Sequence, residues 1–233
     1  MIKCLVLVEG PYDELRLSLL KNLFDSSKIE ILSLGCDKLG EKDYCVNFKD
    51  DISHLLDKEK KYSIDDFDYI IEVCDLDGCF IEDDLVIENT NIKKVEYYDS
   101  HIEAVDKTSI IQRNHIKANN INGLLNNHIL LYYNSTNIDH AFNDLQNPSK
   151  KEKRNLAISM YDKYKDDDKA FLELLYNANK LKSKNYEESW NDVKKDIKSL
   201  TSNSNIIFFI DRFQNELKEE LKYAYCELKS NKF

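Results

Sequence analysis

Two short apolar runs of this chain each end in carboxylates, and this pattern constrains the fold more than any other feature. The first run is CLVLVEGPYDE at residues 4–14, where Glu9 directly follows the apolar residues. The second is DYIIEVCDLDG at residues 68–78, which leads to Asp75 and Asp77. An ionised carboxylate that leaves water without partners is costly. We therefore expect the acids at the two strand ends to serve a common purpose.

The apolar runs alternate with helical patterns, which predicts an α/β fold with a mainly parallel, Rossmann-like sheet flanked by helices. The sequence breaks after the first strand at Gly10 and Pro11, and Pro is well tolerated at the first position of a helix. The predicted strands cover residues 2–8, 29–34, 68–74, 92–98 and 128–134.

The pattern becomes helical after about residue 150. Trp190, Val193 and Ile197 recur at the spacing of one helix face, and a similar series follows Phe213. We expect both aromatic residues to be buried. The chain is thus predicted to comprise an α/β domain at residues 1–145 and a helical extension at residues 146–233.

The two acidic strand ends are expected to meet. Ligands of parallel α/β sheets bind beyond the carboxyl ends of the strands. Residues two apart in a strand project to the same side, so Asp75 and Asp77 should face one site. Together with Glu9 they would repel one another unless a cation lies between them, and Mg²⁺ prefers such oxygen ligands. A site of this kind is typical of phosphoryl transfer.

The charge of the chain is uneven. Its net charge is −10, with 15 basic and 27 acidic residues in residues 1–140, and 18 and 16 in residues 141–233. Nucleic-acid-binding proteins are usually basic. The overall charge therefore argues against a polynucleotide partner unless metal ions or a second protein contribute positive charge.

The remaining composition narrows the class of protein. The six cysteines form no C-x-x-C pair, which argues against a zinc site and favours reduced thiols. No apolar segment approaches the roughly 20 residues that span a bilayer. The apolar run at the start of the chain is too short for a signal peptide. We expect a cytoplasmic protein that does not associate with membranes.

The segments VEGPYDE (8–14) and CDLDG (74–78) resemble the TOPRIM domain. This domain occurs in topoisomerases, bacterial primases, small RNA-maturation nucleases and OLD-family phage-defence nucleases. In the family, the Glu is a proposed general acid or base and the D-x-D motif binds Mg²⁺. The resemblance covers roughly residues 1–140 and implies a TOPRIM-like fold. The matching residues are Glu9, Gly10, Asp13, Asp75, Asp77 and Gly78.

The resemblance implies a metal-dependent nuclease that cuts DNA or RNA, with Glu9, Asp75 and Asp77 as catalytic residues. It implies Mg²⁺, replaceable by Mn²⁺, held by these three acids and by Asp139. The last acid lies in YYNSTNIDHAF (132–142), a loose match to a family segment that more often carries Glu.

The resemblance also bears on partners and biological setting. The chain has no G-x-x-x-x-G-K-[ST] loop, so an ATPase of the OLD type would have to be a separate subunit. The expected partners are therefore a nucleic-acid substrate, such an ATPase and a second copy of the chain, in a phage-defence or RNA-processing setting.

One basic run follows the predicted sheet. NPSKKEKRN at residues 147–155 contains Lys150, Lys151 and Arg154. Such a run is most often an exposed helix start. As a functional hypothesis, we expect these three side chains to contact phosphates, from the same side of the molecule as the acidic residues.

Two other functions remain open. A partner-binding or regulatory module with a vestigial acidic site is favoured by the acidic charge and by the apolar residues 206–210. A haloacid-dehalogenase-like phosphatase is suggested by the DLDG motif. That family has Thr or Val after the Gly, where this chain has Cys79.

Overall fold

The centre of the protein is a four-stranded parallel sheet with strand order β2-β1-β3-β7. The computed structural model describes residues 1–59 and 61–230. The α/β class, the parallel sheet and the helical C-terminal region are as expected from the sequence. The sheet strands are β1 (Ile2–Val8), β2 (Ile29–Gly35), β3 (Tyr69–Asp75) and β7 (Leu130–Asn134).

The predicted strand over residues 92–98 is wrong for most of its length. Only Glu96–Tyr97 (β5) is extended, and it belongs to a second, three-stranded sheet. In that sheet β6 (Ile102–Ala104) pairs with β4 (Val86–Glu88) in parallel and with β5 in antiparallel orientation. The run contains two adjacent lysines, Lys93 and Lys94, which are exposed here and whose charges would be costly to bury in the main sheet.

Nine helices surround the two sheets in the described part of the chain. The proline after Gly10 does start a helix, and the region beyond residue 150 is helical, both as predicted. The helices are α1 (Pro11–Leu17), α2 (Tyr44–Glu59), α3 (Lys107–Asn126), α4 (Ile138–Asn143), α5 (Lys150–Tyr164), α6 (Asp168–Ala178), α7 (Tyr186–Val193), α8 (Ile207–Arg212) and α9 (Glu219–Ser230).

Each face of the main sheet is covered by its own hydrophobic core. On one face, Val6 and Val73 pack with Phe209 of α8 and Leu172 of α6. On the other face, Leu7 packs with side chains from α2, α3 and α7. Trp190 and Phe213 are buried, which confirms the sequence prediction. The C-terminal helices thus share both cores with the sheet, while the domain boundary at residue 145 stays a prediction.

The C-terminal region also covers the outer edge of β7. The Tyr186 hydroxyl bonds to the Leu131 amide at 3.2 Å, and the Trp190 indole donates to the Leu131 carbonyl at 3.2 Å. Asn205 Oδ1 accepts from the Tyr133 amide at 2.6 Å. These bonds satisfy an edge that could otherwise pair with another chain. Within the described residues, no helix is both long and apolar enough to cross a membrane.

Candidate active site

The two acidic strand ends meet at one edge of the main sheet, as the sequence predicts. β1 and β3 are neighbours with Val8 opposite Val73, so Glu9 and Asp75 lie at the same ends of adjacent strands, one residue apart in register. Glu9 Oε1 accepts a hydrogen bond from the Asp75 amide at 3.1 Å. The first carboxylate is therefore fixed against the backbone of the second strand.

Asp77 reaches this site by a route that strand geometry did not predict. β3 ends at Asp75, and Asp77 lies in a turn with a left-handed φ of 52°. Gly78 follows with a φ of 68°, and a Cβ there would lie 2.5 Å from Leu200 Cδ2. The expected alternation of side chains along one strand is thus wrong for this pair. A turn that needs glycine aims Asp77 at the site.

A lysine from α3 lies between two of the acids. Lys117 Nζ donates to Glu9 Oε1 at 2.9 Å and to Asp77 Oδ2 at 2.7 Å. The Lys117 side chain is only 5% exposed, whereas Glu9 and Asp77 are 16% and 24% exposed. Glu9, Asp75, Asp77 and Lys117 are called the Lys117 cluster below. The chain itself thus supplies a cation between Glu9 and Asp77, two of the three carboxylates.

Arg113 lies one helical turn before the lysine. Its Nη2 donates to the Asp77 carbonyl at 3.3 Å and its Nη1 to the Tyr97 hydroxyl at 3.1 Å. Neither Lys117 nor Arg113 belongs to the motifs from which the site was predicted. The available signal was a polar stripe at helical spacing, Arg113, Lys117 and Asn120, on a helix that leads into a buried strand. The small sheet enters the site here through Tyr97.

The pKa values in the Lys117 cluster diverge. Burial raises the pKa of Glu9 to about 7, against the opposing charge of Lys117. Burial and then the charge of Glu9 raise the pKa of Asp75 well above its usual range. Burial would also raise the pKa of Asp77, but Lys117 and Arg113 outweigh it and the pKa is lowered. Asp77 is therefore ionised at neutral pH, while Glu9 gains and loses its proton close to neutral pH.

Asp139 lies in a second group of charges. Its side chain and that of Arg16 are both fully buried and form an ion pair. Arg16 also contacts Asp13 at 3.3 Å, and Asp139 Oδ2 has no hydrogen-bond partner among the described residues. Asp13, Arg16 and Asp139 are called the Arg16 cluster below. The negative charge of Asp13 contributes to the raised pKa of Asp75, so the two clusters are neighbours.

The predicted phosphate-contacting residues lie at the start of α5. Lys150, Lys151 and Arg154 are exposed there. The α5 helix is next to the Arg16 cluster, because Arg16 Nη2 donates to the Lys153 carbonyl at 3.3 Å. Contact of these three side chains with nucleic acid stays a prediction.

The donor chemistry of the Lys117 cluster suits a hard divalent cation, because carboxylate oxygens are the ligands that Mg²⁺ prefers. Yet residues 1–59 and 61–230 contain no group of three or more His, Cys, Asp or Glu residues arranged to hold a metal ion. Lys117 bonds to two of the three acids, which explains why their oxygens are not arranged around a metal ion. A metal ion could use Glu9 Oε1 and Asp77 Oδ2 only after Lys117 withdraws from them.

Comparisons of the chain with protein-family models, with curated proteins and with solved structures found no match. The resemblance to the TOPRIM domain therefore stays a prediction from the two sequence motifs.

Proposed function

We propose that the protein is a metal-dependent nuclease whose active site is the Lys117 cluster. The observation that carries the proposal is that Glu9 and the pair Asp75 and Asp77 come from two separate parts of the chain and converge at one sheet edge. The carboxyl edge of a parallel sheet is where ligands of such folds bind.

The three acids have different proposed roles. Glu9 is the general acid or base, because a group whose pKa lies near 7 can both accept and donate a proton at neutral pH. Asp75 and Asp77 would hold Mg²⁺ or Mn²⁺, with Glu9 and Asp139 as further ligands on the family pattern. When bound, the metal would neutralise charge on the phosphate and activate water.

The substrate is proposed to approach along the start of α5. The region of residues 1–140 is strongly acidic and repels a polyanion. Lys150, Lys151 and Arg154 are exposed on a helix adjacent to the Arg16 cluster, where they could attract phosphates. The separate ATPase subunit and the phage-defence setting are supported only by the sequence resemblance.

The experiment compares cleavage of labelled single- and double-stranded DNA and RNA by the wild type and by Glu9→Gln and Asp77→Asn. Activity should need Mg²⁺ or Mn²⁺ and should stop with EDTA. Glu9→Gln should lower the rate by about 10²–10⁴-fold, because it removes proton transfer. Asp77→Asn should weaken Mn²⁺ binding by at least about tenfold, because it removes a ligand charge.

The matched control is Asp84→Asn, which removes an exposed carboxylate a few residues after the D-x-D motif. Its rate and Mn²⁺ affinity should equal those of the wild type. Robust cleavage by both site variants would place the active site elsewhere and refute the proposal.

A second candidate function is favoured by Lys117. Its two bonds already balance the acids without a metal, as expected of a regulatory or partner-binding module whose acidic site is vestigial. Titration of Mn²⁺ into the wild type, followed by electron paramagnetic resonance, separates the two functions. Saturable binding that Asp77→Asn weakens supports the nuclease, and no binding at millimolar Mn²⁺ supports the module.

A further inference from the structure

A separate cavity lies in the C-terminal helical region. It has a volume of about 240 Å³ and is bounded by the end of α6, the loop after it, α8 and α9. Tyr176, Phe208 and Tyr225 form aromatic parts of its wall. None of the residues of the Lys117 cluster lines it. The volume is smaller than that of a typical drug-sized pocket, so the cavity suits one compact ligand.

Positive charge surrounds this cavity. Lys182, Lys184 and Lys229 line it, together with a single acid, Asp211. The acid is already engaged, since it accepts from the Tyr225 hydroxyl at 2.6 Å and from Lys229 Nζ at 2.5 Å. Lys182 and Lys184 are exposed at the cavity and carry the charge that remains. An anionic group on the ligand is the complement of this pair.

The loop that bears the two lysines has an unusual conformation. Lys182 has a left-handed φ of 56°, which is unfavourable for a residue with a side chain. The turn is held by the Lys182 amide, which donates to the Asn179 carbonyl at 3.2 Å, and by Asn179 Nδ2, which donates to the Ser183 carbonyl at 2.9 Å. These two hydrogen bonds therefore hold the backbone in its unfavourable conformation at the point where Lys182 and Lys184 line the cavity.

The side chain of Asn179 contains a buried polar atom that lacks a hydrogen-bond partner among the described residues. Its side chain lines the cavity, the residue is only 8% exposed, and its Oδ1 has no hydrogen-bond partner among the described residues. A buried acceptor without a donor is unfavourable. The oxygen itself is enclosed, so a ligand that offers an N–H group would satisfy it once the Asn179 side chain turns toward the cavity.

We propose that this cavity binds a single nucleotide, with its base against the aromatic wall and its phosphate at Lys182 and Lys184. Aromatic side chains stack on bases, lysine ammonium groups bind phosphates, and an amide oxygen accepts from the amino or imino groups of a base. The nucleotide is either free or the terminal unit of a polynucleotide, because both offer the same chemistry. The site is independent of the proposed nuclease activity.

The first test varies the ligand. Isothermal titration calorimetry of the full chain in EDTA measures the four common nucleoside 5′-monophosphates, then the matching nucleoside, ribose 5-phosphate and inorganic phosphate. The best monophosphate should bind at least about tenfold more tightly than each fragment, because base and phosphate both contribute. The proposal is overturned if no monophosphate binds at millimolar concentration, or if phosphate alone binds equally well.

The second test varies the protein. Lys182→Gln and Lys184→Gln should each weaken binding of the monophosphate several-fold, with little effect on binding of the nucleoside. Asn179→Leu should weaken binding of the nucleoside, and a thermal melt verifies that it folds. The matched control is Lys169→Gln, an exposed lysine of α6 outside the cavity. Equal affinity in the control and in both cavity lysine variants would refute the assignment.

Two further measurements identify the source of the nucleotide and distinguish this proposal from the proposed nuclease activity. A 5′-phosphorylated trinucleotide that binds more tightly than the monophosphate assigns the cavity to a chain end, and weaker binding assigns it to a free nucleotide. Asp77→Asn should bind the monophosphate as the wild type does, whether or not nuclease activity is found. Loss of binding in that variant would show that the nucleotide occupies the acidic edge, and would overturn the cavity assignment.

Discussion

The Lys117 cluster and the Arg16 cluster lie at the same edge of the sheet. In each of them, one cationic side chain lies between carboxylates. They differ in access to solvent. Arg16 and Asp139 are fully enclosed, whereas Glu9 and Asp77 of the Lys117 cluster keep part of their surface exposed. An enclosed ion pair is shielded from solvent and ligands, whereas partly exposed acids can exchange a lysine for a ligand. The comparison predicts a scaffolding role for the Arg16 cluster and is consistent with the proposed chemistry at the Lys117 cluster.

The largest expected effect breaks the Arg16 cluster. Asp139→Asn should lower the free energy of unfolding by about 3–5 kcal/mol, because it leaves the fully buried Arg16 without its main counter-charge. Urea denaturation measures the change. Asp162→Asn, which removes an exposed partner of Lys165, should leave the free energy of unfolding nearly unchanged, because solvent screens a surface ion pair.

The same variant tests the role of Asp139 as a metal ligand. If the residue acts only through Arg16, Asp139→Asn and Arg16→Met should leave Mn²⁺ affinity alike and close to that of the wild type. A selective loss of Mn²⁺ affinity in Asp139→Asn would instead assign this acid to the metal site. A small loss of stability would contradict the scaffolding role.

The next effect concerns a buried acid behind the Lys117 cluster. Glu72 on β3 is 1% exposed, and burial together with the charge of Glu9 raises its pKa to about 8. Its Oε2 accepts from the Tyr44 hydroxyl at 3.4 Å, while its Oε1 has no partner among the described residues. Between the ordinary pKa of 4.5 and about 8, the folded protein holds a proton that the unfolded chain releases.

Stability should therefore fall as the pH rises through this range, because the unfolded state binds fewer protons. Between pH 5 and 8 the contribution of Glu72 is on the order of 3 kcal/mol. Glu72→Gln should make the slope of stability against pH shallower in urea denaturation curves recorded across the range, while the raised pKa values of Glu9 and Asp75 maintain the rest of it. Glu88→Gln, on the exposed side of β4, should keep the slope of the wild type. An unchanged slope in Glu72→Gln would show that this carboxyl is already ionised in the folded protein.

The smallest effect sharpens the comparison at Lys117 itself. Lys117→Met removes the ammonium between Glu9 and Asp77 and should tighten Mn²⁺ binding about tenfold, or about 1.4 kcal/mol. Without metal the variant should be less stable than the wild type, and Mn²⁺ should restore the loss. Lys107→Met, at the start of the same helix, serves as the control. Weaker Mn²⁺ binding in Lys117→Met would mean that the lysine assists metal binding instead of competing with it.

The sequence was sufficient to predict the main sheet and the helical C-terminal region. Apolar runs with acidic ends predicted the main strands and the meeting of Glu9 with Asp75, because parallel strands place their carboxyl ends together. Helical spacing predicted the C-terminal helices and the burial of Trp190 and Phe213. Periodicity failed at residues 92–98, where tertiary pairing with β6 selected only two residues as a strand.

The partners of the acids were decided only by the tertiary structure. Lys117 is 108 residues from Glu9, and Arg16 is 123 residues from Asp139. Local patterns report which face of a helix or strand is buried, but they do not report which distant side chain is brought against it. The sequence by itself determined that several carboxylates share one edge of the sheet. Only the tertiary structure decided which carboxylates are buried against Arg16 and which bond to Lys117 near the surface. The choice of partner depends on how α1, α3 and α4 pack around the sheet.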